Sequence, residues 1–270
     1  MNVIQLLAIP SVLRGFLVLL AAGTLFPLVG IAVLRFNLLN MRFMVMHGGL
    51  LGGAAALALG TNPLLLSLGI NGLFLFGITR ARQEKILKPS YVTTFLMVLS
   101  IGLAFLIMYK TGIQAKDSLS FLWGNILALT STDIIITAAF SFGLLLFFIV
   151  YRRRLAALLF DADIAFTIGV NRGALNTAVI FIAGICITVS MRLIGALLLD
   201  ALVLLPAIIG ITSAGSGRGM FITSCVSGFL SVLLGFFASL ILDIPVSTAV
   251  ILAASLIFIF TYVSRRKRKA

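Results

Sequence analysis

Few side chains in this 270-residue protein can do chemistry, because it holds seven acidic residues and a single histidine. There is no glycine-rich phosphate loop of the Walker type, and no nucleophile is paired with a base in a known pattern. Cys186 and Cys225 lie in apolar runs without metal-ligand spacing, which is typical of small buried hydrophobic residues. We therefore expect no enzymatic activity, no hydrolysis of ATP by this chain and no resident cofactor.

Asp200 is the acidic residue whose position is most unusual. It lies deep in an apolar run, between Leu199 and Ala201. A carboxylate at the centre of a bilayer costs about 2.5–3.5 kcal/mol, so it normally faces a polar cavity or a partner. Two interpretations stay open. Asp200 could contact a cation moving along a pathway, or it could make a structural hydrogen bond or ion pair between helices.

His47 begins a second segment of interest, because it follows Met46 and precedes a run rich in glycine. Imidazole is a common ligand of zinc, and thioethers suit softer ions, so both residues are candidate metal contacts. The alternatives are a hydrogen bond near a helix end for the histidine and simple gap-filling for the methionine. The glycines of this segment predict a close approach between helices: Gly48, Gly49, Gly52 and Gly53.

The composition indicates where these residues must be positioned. Of all residues 61% are hydrophobic and 10% are charged, and apolar runs such as Val92–Met108 are uninterrupted. A transmembrane β-barrel would alternate apolar and polar positions, whereas helices satisfy every backbone group internally. We therefore predict an all-α, polytopic transmembrane helical bundle of eight or nine spans, forming one transmembrane domain over residues 1–270. The second and third candidate spans look short, so one of them is a candidate re-entrant segment.

The net charge of +13 is better explained by topology than by nucleic acid. The basic residues cluster in short loops between apolar runs, as the positive-inside rule requires. If the N-terminus lies outside and nine segments cross, sixteen of the twenty basic residues face inward. The basic tail Arg265–Lys269 then places the C-terminus in the cytoplasm. We expect a membrane lipid environment and no nucleic-acid partner.

Two further features bear on function. The inward segment 152–172 is too apolar for an ordinary loop, so we predict a short amphipathic helix at the cytosolic face that serves as a docking element. Pro206 lies within an apolar run, where it would free a backbone carbonyl and kink the span. Such a kink could shape a cavity, or it could serve packing alone.

The order of these motifs resembles the permease subunits of zinc- and manganese-type ABC importers. Five segments carry the resemblance along most of the chain, and each is weak by itself. They are His47–Gly52, Leu122–Leu127, Phe160–Ala165 with Gly169, Ile194–Ala207 and Asp243–Pro245.

The resemblance implies a transport subunit in the bacterial inner membrane rather than a complete machine. It would work as a dimer of permeases, with cytosolic subunits that bind ATP and with an extracytoplasmic solute-binding protein. The cargo would be a zinc, manganese or iron ion, or a metal chelate. The segment that couples the permease to the ATPase would be Asp161–Gly169 with the preceding phenylalanine, so its key residues are Phe160, Asp161, Ala162, Asp163, Ala165 and Gly169.

Departures from the family pattern affect the predicted metal contacts. The family commonly carries an aspartate one helical turn before the motif histidine, but this chain has Phe43 there. Our hypothesis is that Asp200 supplies the acidic group while His47 is retained. A different cargo, such as a metal chelate, would also explain the change. The alternative function is a secondary transporter driven by an ion gradient, with Asp200 as the carrier group.

Overall fold

The computed structural model describes residues 9–84, 87–113, 124, 126–160 and 171–269. Over these residues the chain is helical and contains no β-strand, which confirms the all-α prediction. In chain order the helices are α1 (Pro10–Arg35), α2 (Leu39–Leu59), α3 (Pro63–Glu84), α4 (Pro89–Thr111), α5 (Ser131–Val150), α6 (Arg152–Phe160), α7 (Arg172–Ile194), α8 (Ala196–Ser213), α9 (Gly217–Leu242) and α10 (Val246–Lys269). Nine of these helices, all except α6, are long and apolar enough to cross a membrane.

Helices α2 and α3 are longer than the apolar runs suggested. They contain 21 and 22 residues, which is about the length that a bilayer requires, so neither is too short to cross. The difference arises at their charged ends, since α2 includes Arg42 and α3 continues through Arg80 and Arg82. The exposed Arg80 can stay in a helix near a membrane surface by extending its charged group towards water, whereas Arg42 is buried within the structure. Apolar length alone therefore underestimated both helices.

The chain divides into two compact units, each built from separate stretches of sequence. The first comprises Met1–Leu34, Asn125–Ala156 and Leu197–Ala270, and it holds α1, α5, α8, α9 and α10. The second comprises Arg35–Gly124 and Ala157–Ala196, and it holds α2, α3, α4 and α7. That residues 1–270 act as one permease domain stays a prediction.

The second unit is built around α2, which packs against α3, α4 and α7. Glycines create the contact with α3. A β-carbon on Gly52 would lie 2.5 Å from the Cα atom of Ser67, and a β-carbon on Gly48 would overlap the Oδ1 atom of Asn71. Only hydrogen fits in these two places, which confirms the predicted close approach.

Helix α4 packs against α2 with ordinary apolar side chains. Leu50, Leu51 and Ala54 of α2 form a buried cluster with Ala104 and Met108 of α4. Most of the remaining surface of α4 is exposed and apolar, as for a helix that faces lipid. The second unit thus combines one tight glycine contact with one looser apolar contact on the same helix.

In the first unit, glycines likewise allow a close contact between α1 and α9. A β-carbon on Gly228 would overlap the carbonyl oxygen of Gly23, and a β-carbon on Gly23 would lie 2.9 Å from the carbonyl oxygen of Gly228. Each carbonyl therefore lies against the Cα of the other glycine, an arrangement that permits weak Cα–H···O bonds. Small residues at such crossings are typical of helices packed in membranes.

Two loop glycines, Gly124 and Gly195, lie at a close contact between two backbone segments. Gly195 links α7 to α8 with a φ of 83°, and Gly124 has a φ of 65°. A β-carbon on Gly124 would lie 2.6 Å from the carbonyl carbon of Ile194. Backbone dihedrals of this kind favour glycine, and the contact leaves no room for a side chain. Two of the segments that carried the family resemblance thus meet in one place.

Replacing Gly52 by alanine should destabilise the second unit. The added methyl group would overlap the Ser67 backbone, and overpacking of this kind costs about 1–3 kcal/mol. The measurement is thermal unfolding of the purified chain in detergent. Gly69→Ala is the matched control, because a β-carbon there meets nothing within 4 Å. Equal melting temperatures for the two variants would contradict the close packing.

Candidate functional site

One face of α2 carries the histidine singled out by sequence. Phe43 and His47 are four residues apart and therefore lie one above the other on the helix. The Phe43 side chain is 41% exposed and His47 is half-buried, whereas the residues on the other faces of this part of α2 are buried. We call the side of α2 that carries Phe43 and His47 the front face.

The hydrogen bond made by His47 fixes which of its nitrogens could bind a metal. Its Nδ1 atom lies 2.8 Å from the carbonyl oxygen of Phe43. A carbonyl oxygen can only accept, so Nδ1 carries the proton and donates it. In the neutral ring Nε2 then keeps its lone pair, as in most histidines that ligate a metal. The predicted helix hydrogen bond and the predicted metal contact are therefore compatible, because they use different nitrogens.

Met46 does not share the front face. Adjacent helix residues point about 100° apart, and the Met46 side chain is 8% exposed whereas His47 is half-buried. Met41 and Met44 are likewise buried. All three methionine side chains are thus buried. A metal contact through the Met46 sulfur stays a prediction that this burial does not support.

The aromatic residue that replaces the family's aspartate lies next to a cation. The guanidinium carbon of Arg42 lies 4.5 Å from the centroid of the Phe43 ring, within the range of a cation–π interaction. Arg42 itself is 5% exposed. The front face at this level therefore presents an aromatic ring backed by positive charge. This environment supplies no carboxylate beside His47 from the same helix.

Asp200 lies on α8 in the first unit and is half-buried. It shares one helix face with Leu197, three residues before it, and with Leu204 and Ile208 after it; Leu197 is exposed and the other two are half-buried. The Oδ1 atom is inaccessible. Asp200 thus sits on an accessible stripe of its helix with one oxygen turned inward. Both earlier interpretations, a pathway contact and a structural bond, remain compatible with this position.

Polar residues of α3 form a site that the sequence analysis overlooked. Asn71 is 1% exposed, and its Nδ2 atom donates to the carbonyl oxygen of Val45 at 3.0 Å and to Oγ1 of Thr188 at 2.9 Å. One turn earlier, Ser67 Oγ donates to the carbonyl oxygen of Gly49 at 3.2 Å. An asparagine in the middle of an apolar run was the available signal, since uncompensated polar groups are costly in a bilayer.

The other predicted residues fall partly beyond the described structure. Helix α6 confirms a short helix in segment 152–172, with exposed arginines at its start and a buried Leu155. Phe160 is its last residue. Asp161, Ala162, Asp163, Ala165 and Gly169 lie outside the described residues. Pro206 is buried inside α8, which continues through it, and a kink there stays a prediction.

Among the described residues, no three side chains of the histidine, cysteine, aspartate or glutamate type gather as a metal-binding group. What the described part of the chain offers instead is single polar groups on accessible faces of apolar helices. The nine potential spans among the described residues define a multi-pass membrane protein.

The chain belongs to the ABC 3 transport family, whose model matches residues 8–265. This membership confirms the resemblance to ABC permeases drawn from the motifs.

Known relatives match between 80% and 96% of this chain. The high-affinity zinc uptake system membrane protein ZnuB of Buchnera aphidicola is 24% identical over 80% of this chain and 83% of its own length. The manganese import system permease protein ScaB of Streptococcus parasanguinis is 24% identical over 93% and 89%. The solved structure of PsaBC from Streptococcus pneumoniae in complex with Fab superposes with a TM-score of 0.80, at 20% identity, over 96% of this chain and 94% of that one. At this identity the structural match establishes the fold.

The tautomer of His47 can be measured directly, because the chain contains no other histidine. We expect nitrogen NMR of the chain labelled with ¹⁵N-histidine, at alkaline pH, to show a protonated Nδ1 and a bare Nε2. Addition of zinc should then perturb Nε2 and leave Nδ1 protonated. Phe43→Leu keeps the carbonyl acceptor and serves as the control that preserves the tautomer. A spectrum with the proton on Nε2 would contradict the geometry.

Proposed function

We propose that this chain is the membrane permease subunit of an ATP-driven importer for a transition-metal ion, namely zinc, manganese or iron, or for a metal chelate. The observation that carries the proposal is His47, whose Nε2 is left available on the front face of a long apolar helix. Family membership supports the transport class. The names of the zinc and manganese relatives support the class of cargo.

The proposed partners follow from the family and from the distribution of charge. A cytosolic subunit binds and hydrolyses ATP, an extracytoplasmic protein delivers the cargo, and a second permease completes the passage, most simply a second copy of this chain. The excess of basic residues in one set of loops supports a bacterial inner-membrane location with the C-terminus in the cytoplasm. The segment Asp161–Gly169 is the proposed contact with the ATPase, on the strength of the family resemblance and of the exposed arginines in the adjoining α6.

Within this proposal His47 and Asp200 have separate roles. His47 offers a neutral nitrogen ligand to the passing metal, and Asp200 offers negative charge on the accessible stripe of α8. A divalent ion that has lost part of its hydration shell is stabilised by either group. Each contact is a single ligand, so the ion binds weakly enough to move on. In this way Asp200 replaces the acidic residue that the family commonly carries at the position of Phe43.

The experiment that tests the proposal is metal uptake by proteoliposomes containing the chain with its ATPase subunit, with the metal supplied on the solute-binding protein outside. We expect uptake of zinc or manganese to require ATP inside and to fall at least about tenfold in His47→Ala and in Asp200→Asn, since each change removes a ligand or a charge from the path. Asp243→Asn is the matched control, because that carboxylate ends α9 outside the accessible stripe of α8.

Two results would contradict different parts of the proposal. Wild-type uptake in both variants would exclude His47 and Asp200 from the path. Uptake by the chain alone, driven by a proton or sodium gradient and abolished in Asp200→Asn, would favour the alternative function of a secondary transporter.

A further inference from the structure

Polar side chains of α3 contact the side of α2 that is opposite the front face. These contacts explain why His47 lies on the front face. At about 100° per residue, Val45, Gly49 and Gly52 lie between about 140° and 160° from His47 around the helix. These positions, together with Gly48, form what we call the back face. All four are buried.

The Asn71 side chain contacts the back face at two positions along α2. The Nδ2 atom of Asn71 donates to the carbonyl oxygen of Val45, and the Oδ1 atom lies where a β-carbon of Gly48 would be. Among the described residues Oδ1 accepts no N–H or O–H bond, so its contact is with the Cα–H of Gly48. These two residues flank His47, two positions before it and one after it.

The same carboxamide also ties α2 to a third helix. Its second Nδ2 hydrogen reaches Oγ1 of Thr188 on α7 at 2.9 Å, and that hydroxyl donates in turn to the carbonyl oxygen of Gly184 at 2.8 Å. Every donor in this chain of bonds has an acceptor. Apolar contacts would let α2 rotate or slide by small steps, whereas directional bonds to one particular carbonyl do not.

We propose that Asn71 is a positioning residue that sets the rotation of α2 and so holds His47 on the front face. The inference rests on the proposed function, in which His47 is the metal contact. Asn71 does not touch the cargo itself, because it is 1% exposed and both its donor hydrogens are engaged. Its role is to keep the imidazole, rather than the neighbouring Met46 side chain, turned towards the passage.

Thiol reactivity reports this rotation without any metal. The chain is assembled with its partners in membranes, with Cys186 and Cys225 replaced by alanine, and a single cysteine is placed by His47→Cys or by Met46→Cys. A water-soluble methanethiosulfonate reagent should modify position 47 faster than position 46, because residue 47 is partly exposed and residue 46 is buried. The ratio of the two rates measures which side of α2 faces water.

Adding Asn71→Leu should lower this ratio by about threefold to twentyfold, the range expected for the loss of one or two hydrogen bonds between membrane helices. The control Thr188→Val removes the bond to α7 and leaves the bond to Val45, so it should change the ratio less than about twofold. Gly72→Ala on the same helix as Asn71 meets nothing within 4 Å and should leave the ratio unchanged.

Two outcomes would overturn the inference. In the first, Asn71→Leu lowers the melting temperature of the complex and leaves the ratio unchanged, which is the behaviour of an ordinary stabilising residue. In the second, positions 46 and 47 react equally in the parent, so the front face is not the side of α2 that faces water. Neither outcome depends on transport, and normal metal uptake in His47→Ala would remove the proposed metal contact of His47 while leaving the role of Asn71 in place.

Discussion

The close approach of α3 to the back face of α2 is the constraint on which the rest of the second unit depends. Glycine at positions 48 and 52 lets the backbones of the two helices come within the reach of short polar side chains. Without that approach Ser67 and Asn71 could not bond to carbonyl oxygens of α2. With it, one side of α2 is fully occupied, and the opposite side is free to carry Phe43 and His47.

This arrangement also solves the problem of placing polar groups inside an apolar bundle. A buried amide in a membrane is tolerated when its donors are satisfied by neighbouring helices. Asn71 meets that condition by bonding to two helices at once, and His47 meets it by donating from Nδ1 to its own helix. One nitrogen of the histidine therefore makes a local hydrogen bond, and the other is available to a ligand. A lone imidazole on an apolar helix can in this way be both stable and chemically available.

The sequence allowed the long helices to be predicted, because uninterrupted apolar runs leave little choice of structure in lipid. It made α2 begin too late and α3 end too early, since arginines were taken to mark the limits of a span. The glycine-rich segment predicted a tight contact but could not reveal its partner, which is set by tertiary packing of α3. Met46 was grouped with His47 although neighbouring helix positions point in different directions. Asn71 was missed because only acidic residues and the histidine were weighed as intramembrane polar groups.

We propose that the metal meets this protein at the front face of α2, and the most direct test is a gain of affinity. Phe43→Asp would place a carboxylate one turn before His47, on the same accessible face. The quantity to measure is the dissociation constant for zinc or manganese of the complex without nucleotide. The account predicts binding at least about tenfold tighter, or ~1.4 kcal/mol, in Phe43→Asp than in Phe43→Leu, and loss of that gain when His47→Ala is added. Equal affinities in the two Phe43 variants, or a gain that survives removal of His47, would contradict it.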